Sequence, residues 1–341
     1  MSSGQDQLAR LVAYGIDDED LLAELTGDLA VVERAIVDAV HSADPLAAET
    51  GSHLVRAGGK RTRPLLCLLA SRLGVPGPLV TDAAVVVELT HLATLYHDDV
   101  IDSATQRRGV PTAQEVWGNT VAILTGDLLF ARASTIGAGL GPEAVRIQST
   151  TFERLVLGEM RETVGPLRGQ DPVEHYLGVL SDKTGSLIAT SARFGGMFSG
   201  ASTATLDVLV EYGEKVGVAF QLADDVLDLV GDRADSGKTP GTDLREHVPT
   251  MPVLLLRRDV AAGTAPTGSA ELLRMLDADL ADDDRLADAV QRLRAHPATA
   301  EARAVALRWA AEAVAALAPL PDVPATRALA AVAEALADRS R

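Results

Sequence analysis

Apolar residues recur along most of the chain at intervals of three and four, the spacing of one helix face. Alternation of apolar and polar residues, the signal of a half-buried strand, is scarce. Acidic residues at 17–20 predict a helix start ahead of Leu21. Further helices are predicted over residues 65–73, 79–102, 119–138, 142–164, 172–199 and 205–230, followed by an Ala-rich helical region at 249–341. We therefore expect a single all-α domain over 1–341, with 1–16 as a flexible arm.

Composition and charge narrow the function classes. Of the 341 residues 47% are hydrophobic, enough for a large core. The formal net charge of −17 argues against nucleic acid or an anionic membrane surface as the main partner, because the basic footprint is missing. Cys67 is the single cysteine, so an intrachain disulfide is excluded. The N-terminus lacks the basic and apolar segments of a signal peptide, and we expect a cytoplasmic protein.

Two clusters of aspartates repeat one spacing. The first comprises Asp98, Asp99 and Asp102, and the second comprises Asp224, Asp225 and Asp228. Each closes an apolar helical run, so the carboxylates at i and i+4 share a face and the third lies beside them. One such cluster alone also fits a solvated helix end, but neighbouring buried carboxylates require cations. Oxygen ligands favour Mg²⁺, so the pair of clusters indicates a clamp for a diphosphate.

Basic segments suited to phosphate accompany these clusters. Residues 58–64 read GGKRTRP, in which glycines allow close backbone approach and Pro64 suits a helix start that favours anions. Arg107 and Arg108 offer planar donors just beyond the first cluster. In isolation either segment also fits a solvated loop. Farther along, Gly185 interrupts an apolar helix within Lys183-Thr184-Gly185 and predicts a kink.

Taken together, these motifs resemble the trans-isoprenyl diphosphate synthase (polyprenyl synthetase) family over residues 45–260. The motifs are GGKRTRP, HDDVID followed by RRG, KTG, and FQLADDVLD followed by GK and GTDL. The resemblance implies an isoprenoid-synthase-type helical bundle around a deep central cavity, with the aspartate motifs facing each other across its mouth. It extends to bacterial medium- and long-chain polyprenyl diphosphate synthases.

The resemblance also implies a reaction and residue roles. Isopentenyl diphosphate would condense head to tail, in trans geometry, with an allylic diphosphate, releasing diphosphate. The six aspartates would bind about three Mg²⁺ ions, and the catalytic set would be Asp98, Asp99, Asp102, Asp224, Asp225 and Lys183. The allylic diphosphate would contact Arg107, Lys183, Thr184, Gln221 and Lys238. Isopentenyl diphosphate would contact Lys60, Arg63, His91 and Arg108.

The chemistry needs these residue types because the leaving group is a diphosphate and the other fragment is an allylic cation. Magnesium and cationic side chains stabilise charge that develops on the leaving oxygen. The double bond of isopentenyl diphosphate attacks the cation, and the departing diphosphate takes the proton. No protein nucleophile is required, which agrees with the absence of a Ser-His or Cys-His arrangement.

Two positions bear on substrate and product. Many family members carry a lysine shortly after the GTDL-type segment, whereas here no lysine lies near Val248, and Arg245 or His247 are the available substitutes. Small residues, Ala93 and Thr94, stand about one turn before the first aspartate motif, where bulky residues stop elongation in the family. We therefore expect a medium- or long-chain polyprenyl diphosphate as the product. The preferred primer, the final carbon number and the pathway served stay open.

Other readings predict different features. A terpene cyclase would carry one aspartate motif and an Asn/Ser/Glu-type second motif, whereas this chain has two aspartate motifs and a basic segment. A di-iron bundle would need a second Glu-x-x-His besides Glu88 to His91. A non-catalytic partner subunit would show degenerate aspartate motifs, although an active subunit that needs a partner would look the same. By resemblance we expect a homodimer whose product passes to a membrane.

Overall fold

The protein, seen in a computed structural model, is described at residue 9 and over 11–230 and 240–338. The helices, in chain order, are α1 (Glu19–Val40), α2 (Pro45–Arg56), α3 (Thr62–Ser71), α4 (Pro78–Ile101), α5 (Ala113–Trp117), α6 (Asn119–Gly139), α7 (Pro142–Val164), α8 (Pro172–Leu180), α9 (Ser186–Phe198), α10 (Thr203–Val230), α11 (Thr242–Arg245), α12 (Met251–Ala262), α13 (Ser269–Leu276), α14 (Asp283–Ala295), α15 (Pro297–Ala316) and α16 (Pro324–Ala337). The predicted all-α fold is confirmed.

Sequence signals account for many helix starts. Asp18 caps α1 by accepting a hydrogen bond from the Leu21 N–H, and Asp44 caps α2 in the same way. Asp171 accepts from two backbone N–H groups at the start of α8. Asp282, the first residue of a third acidic run, caps α14 through the Arg285 N–H.

Two short strands were not predicted from the sequence. Gln106–Arg107 (β1) and Val110–Pro111 (β2) pair antiparallel, with Gln106 opposite Pro111. Arg108 and Gly109 form the tight turn between them, and both have positive φ, at 55° and 76°. The hairpin fixes the direction of the two adjacent arginines.

The described chain divides into two compact units, while the single domain predicted from the sequence stays a prediction. The first unit contains the described residues among 1–155, 186–214 and 316–332. Its central helix, α4, packs against α6, α9 and α3. Val86, Leu89 and Leu92 are almost completely buried, which explains why this helix is apolar on nearly every side.

The second unit contains the described residues among 156–185, 215–315 and 333–341. Its core joins α10 to α12 and α14 through Leu222, Leu255 and Leu293. Within it Ser181–Gly185 forms a π-helical turn directly after α8. This turn stands at the glycine where the sequence predicted a kink.

Two helices, α4 and α6, are long and apolar enough to cross a membrane by length and composition alone. The apolar stretch of α4 is 67% buried, which is typical of a core helix. The corresponding stretch of α6 is 33% buried.

Candidate active site

The first aspartate cluster lies at the C-terminal end of α4. Asp98 is partly accessible and Asp102 is exposed, whereas Asp99 between them is fully buried. Asp102 ends the helix, and its N–H donates to the Asp98 carbonyl at 2.8 Å. The carboxylates at i and i+4 therefore have access to solvent, and the middle carboxylate points into the protein.

Asp99 is held by the β-hairpin. Its Oδ1 accepts from Arg107 Nε at 2.7 Å, and its Oδ2 is buried with no hydrogen-bond partner among the described residues. Burial raises the pKa of Asp99, although Arg107 acts in the opposite direction. Arg107 is thus tied to the aspartate cluster.

Arg108 turns the other way, toward the loop before α3. It donates to the carbonyls of Leu54, at 3.0 Å, and Gly58. A Cβ placed on Gly59 would lie 2.9 Å from the Arg108 guanidinium carbon, so the missing side chain allows this approach.

Three of the residues predicted to bind isopentenyl diphosphate, Arg63, His91 and Arg108, influence one another's pKa values. Burial, with a smaller effect of Arg108, lowers the pKa of Arg63 to about 10, although Glu88 acts in the opposite direction. Burial also lowers the pKa of His91, and Arg63 and Arg108 add to that effect. Arg63 Nε is buried with no hydrogen-bond partner among the described residues, whereas Lys60 is exposed. The cluster has donor capacity for an anion and keeps His91 neutral.

Arg61, in the same basic loop, was not assigned a role from the sequence. It is buried and pairs with Glu33 at 2.9 Å and with Glu88 at 2.7 Å. Because Glu88 is engaged with an arginine, the Glu88 to His91 spacing serves a purpose other than the di-iron site weighed above. The spacing alone carried no signal of this pairing.

The second aspartate cluster lies near the end of α10 and repeats the pattern of exposure. Asp224 and Asp228 are partly accessible, and Asp225 is buried. Asp225 Oδ2 accepts from the Tyr176 hydroxyl at 2.7 Å and from the Met251 N–H at 3.1 Å. Burial raises the pKa of Asp225 well above its usual range, despite these two donors. The middle carboxylate is again committed to the protein.

The GTDL segment is attached to this cluster through its backbone. The Gly241 N–H donates to the Asp228 carbonyl at 2.9 Å, and the Asp243 N–H lies 3.3 Å from Asp228 Oδ2. Arg245, one of the two substitutes for the missing lysine, pairs with Asp283, and His247 is exposed. Lys238 lies outside the described residues.

The π-helical turn carries Lys183 and Thr184. Lys183 Nζ pairs with Glu159 at 2.7 Å and with Glu162. Burial lowers the pKa of Lys183, but the two glutamates outweigh it and the net pKa is raised. Thr184 Oγ1 lies 3.4 Å from Gln221 Oε1. The turn thus places the Lys183 amine and the Thr184 hydroxyl within the second unit, and Thr184 lies next to Gln221 of α10.

The two chain-length residues lie on α4, one turn before the aspartates. Ala93 is fully buried, and Thr94 is partly buried with its hydroxyl donating to the His91 carbonyl at 2.8 Å. Tyr96, two residues before Asp98, is fully buried. Its hydroxyl donates to the Thr50 carbonyl at 2.5 Å.

The protein is helical and carries two aspartate clusters and a basic cluster. Such side chains are typical of an enzyme that binds diphosphates. Residues 44–293 match the family described as polyprenyl synthetase. The chain is 46% identical to nonaprenyl diphosphate synthase of Mycobacterium tuberculosis, over 95% of this chain and 96% of that one. It is 33% identical to octaprenyl diphosphate synthase of Escherichia coli, over 93% and 98%.

A solved structure is similar along its whole length. Geranylgeranyl pyrophosphate synthase from Corynebacterium glutamicum, complexed with calcium and isoprenyl diphosphate, is 40% identical with a TM-score of 0.84, over 95% of this chain and 98% of that one. The chain belongs to the polyprenyl synthetase family and is a prenyl-elongating transferase that uses diphosphate substrates.

Proposed function

We propose that the protein is a Mg²⁺-dependent trans-polyprenyl diphosphate synthase with a medium- or long-chain product. The observation that carries the proposal is the shared form of the two aspartate clusters. In each, the first and third carboxylates are accessible and the middle one is buried. Two independent helices thus present the same pair of oxygen ligands, one turn apart.

The donor set fits magnesium. Among residues 11–230 and 240–338, no three His, Cys, Asp or Glu side chains are gathered closely enough to hold an ion by themselves. Magnesium typically takes one or two carboxylates and completes its shell with water and substrate phosphates, so paired aspartates are suitable ligands. We propose Asp98, Asp102, Asp224 and Asp228 as the ligands most accessible to the ions, about three in number. Bound magnesium would neutralise charge on the leaving diphosphate.

Asp99 and Asp225, the buried middle residues of the two clusters, would support the accessible ligands. Asp99 Oδ1 and Asp225 Oδ2 already accept hydrogen bonds from the protein, so each has one oxygen left for an ion or for water. Their buried position fixes the ends of α4 and α10, and with them the accessible carboxylates. Both residues stay in the proposed metal and catalytic set.

The other polar groups would divide between the two substrates. We propose that Arg107, Lys183, Thr184 and Gln221 bind the allylic diphosphate, with Lys238 joining them. Lys183 is paired with two glutamates, so it would exchange at least one of these pairs for phosphate oxygens. Lys60, Arg63, His91 and Arg108 would bind isopentenyl diphosphate, because Arg63 and Arg108 lie close enough to His91 to lower its pKa and the buried Arg63 Nε has no hydrogen-bond partner among the described residues.

Small side chains on α4 support the proposal of a medium- or long-chain product. Ala93 and Thr94 place no bulk on α4 one turn before the aspartates, which favours continued elongation. Relatives named for nonaprenyl and octaprenyl products agree with this proposal. Since a relative of 40% identity is a geranylgeranyl pyrophosphate synthase, overall similarity alone does not fix the length.

Assembly and location complete the proposal. We propose a cytoplasmic homodimer that takes isopentenyl and allylic diphosphates from solution. A long prenyl chain exposes a large apolar area to water, which is the physical reason to expect transfer of the product to a membrane.

The site proposal can be tested by following label from isopentenyl diphosphate into an allylic product in the presence of Mg²⁺. We expect Asp98→Asn and Asp224→Asn to lower kcat by at least about 10²-fold, because each removes a charged ligand from the transition state. Chelation of the metal should abolish transfer.

Asp282→Asn is a matched control, since Asp282 belongs to a third acidic run but only caps α14. Its activity should equal that of the wild type. Transfer that persists in the Asp98→Asn and Asp224→Asn variants, or in the presence of a chelator, would contradict the proposed metal site.

A further inference from the structure

Arg61 forms a buried ion-pair network that lies outside the proposed substrate contacts. Its Nε donates to both oxygens of Glu33, at 3.1 and 2.9 Å, and its Nη1 donates to Glu88 at 2.7 Å. The Nη2 lies 3.5 Å from the Val55 carbonyl. All three charged side chains are at least nine-tenths buried. The guanidinium is therefore occupied by protein acceptors and is not presented to a ligand.

This network joins three segments of the first unit. Glu33 belongs to α1, Glu88 belongs to α4, and Arg61 ends the loop that begins at Gly58. Arg61 has a positive φ of 52°, a conformation that costs free energy for a residue with a side chain. Two buried carboxylates hold the residue in that conformation, so the loop has one fixed path between α2 and α3.

The same carboxylates bear on the residues that flank Arg61. Lys60 and Arg63 lie one residue before and two residues after it, and His91 lies one helical turn after Glu88. Burial lowers the pKa of Arg63 and of Arg108, and Glu88 opposes this effect in both, which shows that its charge reaches both. Close like charges repel, so a buried counter-charge is needed to keep these cations together before an anion arrives.

We propose that Arg61, held by Glu33 and Glu88, is a positioning residue for the isopentenyl diphosphate site. The inference rests on the proposed function, because it takes Lys60, Arg63, His91 and Arg108 as the residues that bind this substrate. Arg61 sets the path of the basic loop, and the two glutamates hold the loop to α1 and α4. None of the three contacts the substrate.

The test is the affinity for isopentenyl diphosphate measured by calorimetry without a primer, since no transfer occurs without an allylic partner. Arg61→Lys keeps the charge but cannot reach both carboxylates with a planar fork, so affinity should fall about tenfold. Glu88→Gln keeps the size and an acceptor but removes the charge, and should weaken binding by a similar factor. Affinity for geranylgeranyl diphosphate with Mg²⁺ should stay within about twofold in both variants.

Arg72→Lys is the matched control. Arg72 stands at the opposite end of α3 and pairs with Asp28 of α1 at 2.5 Å, so it also ties α3 to α1. It lies away from the basic loop in sequence, and its replacement should leave both affinities unchanged.

The sign of the Glu88→Gln result separates two explanations. If Glu88 acted only as a nearby negative charge, its removal would tighten the binding of a diphosphate. Tighter or unchanged binding in Glu88→Gln, or wild-type affinity in Arg61→Lys, would overturn the proposal. An equal loss of affinity for both substrates would overturn it as well.

Failure of the proposed function would look different. In that case the wild-type protein would bind no isopentenyl diphosphate, and the variants would offer no comparison. If instead the wild type binds and both variants match it, the function stands and the positioning role is wrong.

Discussion

The charge state of His91 is determined first by its burial and then by the arginines near it. It lies seven residues before Asp98, on the same face of α4, and several arginines are close enough to act on it electrostatically. Burial lowers its pKa, and Arg63 and Arg108 lower it further. A neutral imidazole can still donate one hydrogen bond to a phosphate oxygen, so the residue serves as a neutral donor among charged ones.

The lowered pKa has a consequence for stability. In the unfolded chain a histidine titrates near about 6.5, whereas the native His91 takes up its proton only at lower pH. Stability is therefore lost as the pH falls below the unfolded value and toward the native one. Between about pH 7.5 and 5.5 the wild type should lose roughly 1 kcal/mol more unfolding free energy than His91→Asn.

Urea unfolding at the two pH values measures this difference. His41→Asn, at an exposed histidine, is the control and should follow the wild type. Parallel losses in the wild type and in His91→Asn would show that His91 does not stay neutral.

The role of Asp225, the buried aspartate of the second cluster, can be tested by removing its hydrogen bond from Tyr176. Replacement of Tyr176 by Phe leaves Asp225 Oδ2 with the Met251 N–H alone, at a cost of about 1–2 kcal/mol in stability. Because the aspartate cluster would be less firmly held, the Mg²⁺ concentration needed for half-maximal activity should rise. Unfolding in urea and a magnesium titration of activity measure the two effects.

Tyr212→Phe is the control for this prediction. The Tyr212 hydroxyl is buried and donates to the Leu329 carbonyl at 2.6 Å within the first unit. Its loss should lower stability by a similar amount and leave the magnesium dependence unchanged. An unaltered magnesium requirement in Tyr176→Phe would argue against a role of Asp225 in holding the cluster.

At the residue level the aspartate clusters were predictable from the sequence, but the burial of the middle aspartate in each cluster was not. Spacing placed the first and third carboxylates on one face, and the structure shows them accessible. Spacing could not reveal the partners of Lys183 and Arg61, since those glutamates come from other helices. Such long-range ion pairs leave no local pattern.

At the level of elements, the π-helical turn depends on two glycines. A Cβ on Gly217 of α10 would lie 2.5 Å from the Gly185 Cα. The backbone of α10 is therefore in direct contact with the backbone of the turn. This contact holds the turn that carries Lys183 and Thr184. The kink was predicted from Gly185, but its partner could not be, because contacts between helices are not encoded in spacing.

Replacing Gly217 by Ala should therefore displace the turn. We expect a loss of about 1–3 kcal/mol in stability from overpacking, together with a lower kcat. Gly178→Ala, on α8 just before the turn, has open space around its Cβ position and should gain up to about 1 kcal/mol. Thermal unfolding and the transfer assay provide both readouts, and a Gly217→Ala protein as stable and active as the wild type would refute the close contact.

Helix positions were largely predictable from the 3.6-residue period. The predicted helix over 142–164 coincides with α7, and that over 205–230 differs from α10 by two residues at its start. The β-hairpin was not foreseen, because strands of two residues are too short to show alternation. Its conformation rests on the turn at Arg108 and Gly109.

For the whole molecule, the apolar surface of α6 supports the proposed homodimer. Leu124 is 60% exposed and Ile123 is 42% exposed on a predominantly apolar helix. Exposed apolar area of this kind is commonly covered by a second copy. Leu124→Glu should convert a dimer to a monomer in sedimentation equilibrium, because it introduces a charge into that surface.

Leu46→Glu provides the comparison, since Leu46 is 51% exposed on α2. It should leave the dimer intact. A monomeric wild type, or a dimer that survives Leu124→Glu, would contradict this surface as the interface.

Chain elongation can be tested with the mass spectrum of the products formed from isopentenyl diphosphate, Mg²⁺ and allylic primers of increasing length. We expect a ladder of products that grows by one isoprene unit per step and extends past geranylgeranyl diphosphate. Thr94→Phe should shorten the ladder, while Thr94→Ser leaves it unchanged. A cyclic hydrocarbon, or no consumption of isopentenyl diphosphate by folded protein with Mg²⁺, would contradict chain elongation. A ladder unchanged in Thr94→Phe would contradict the assignment of product length to α4.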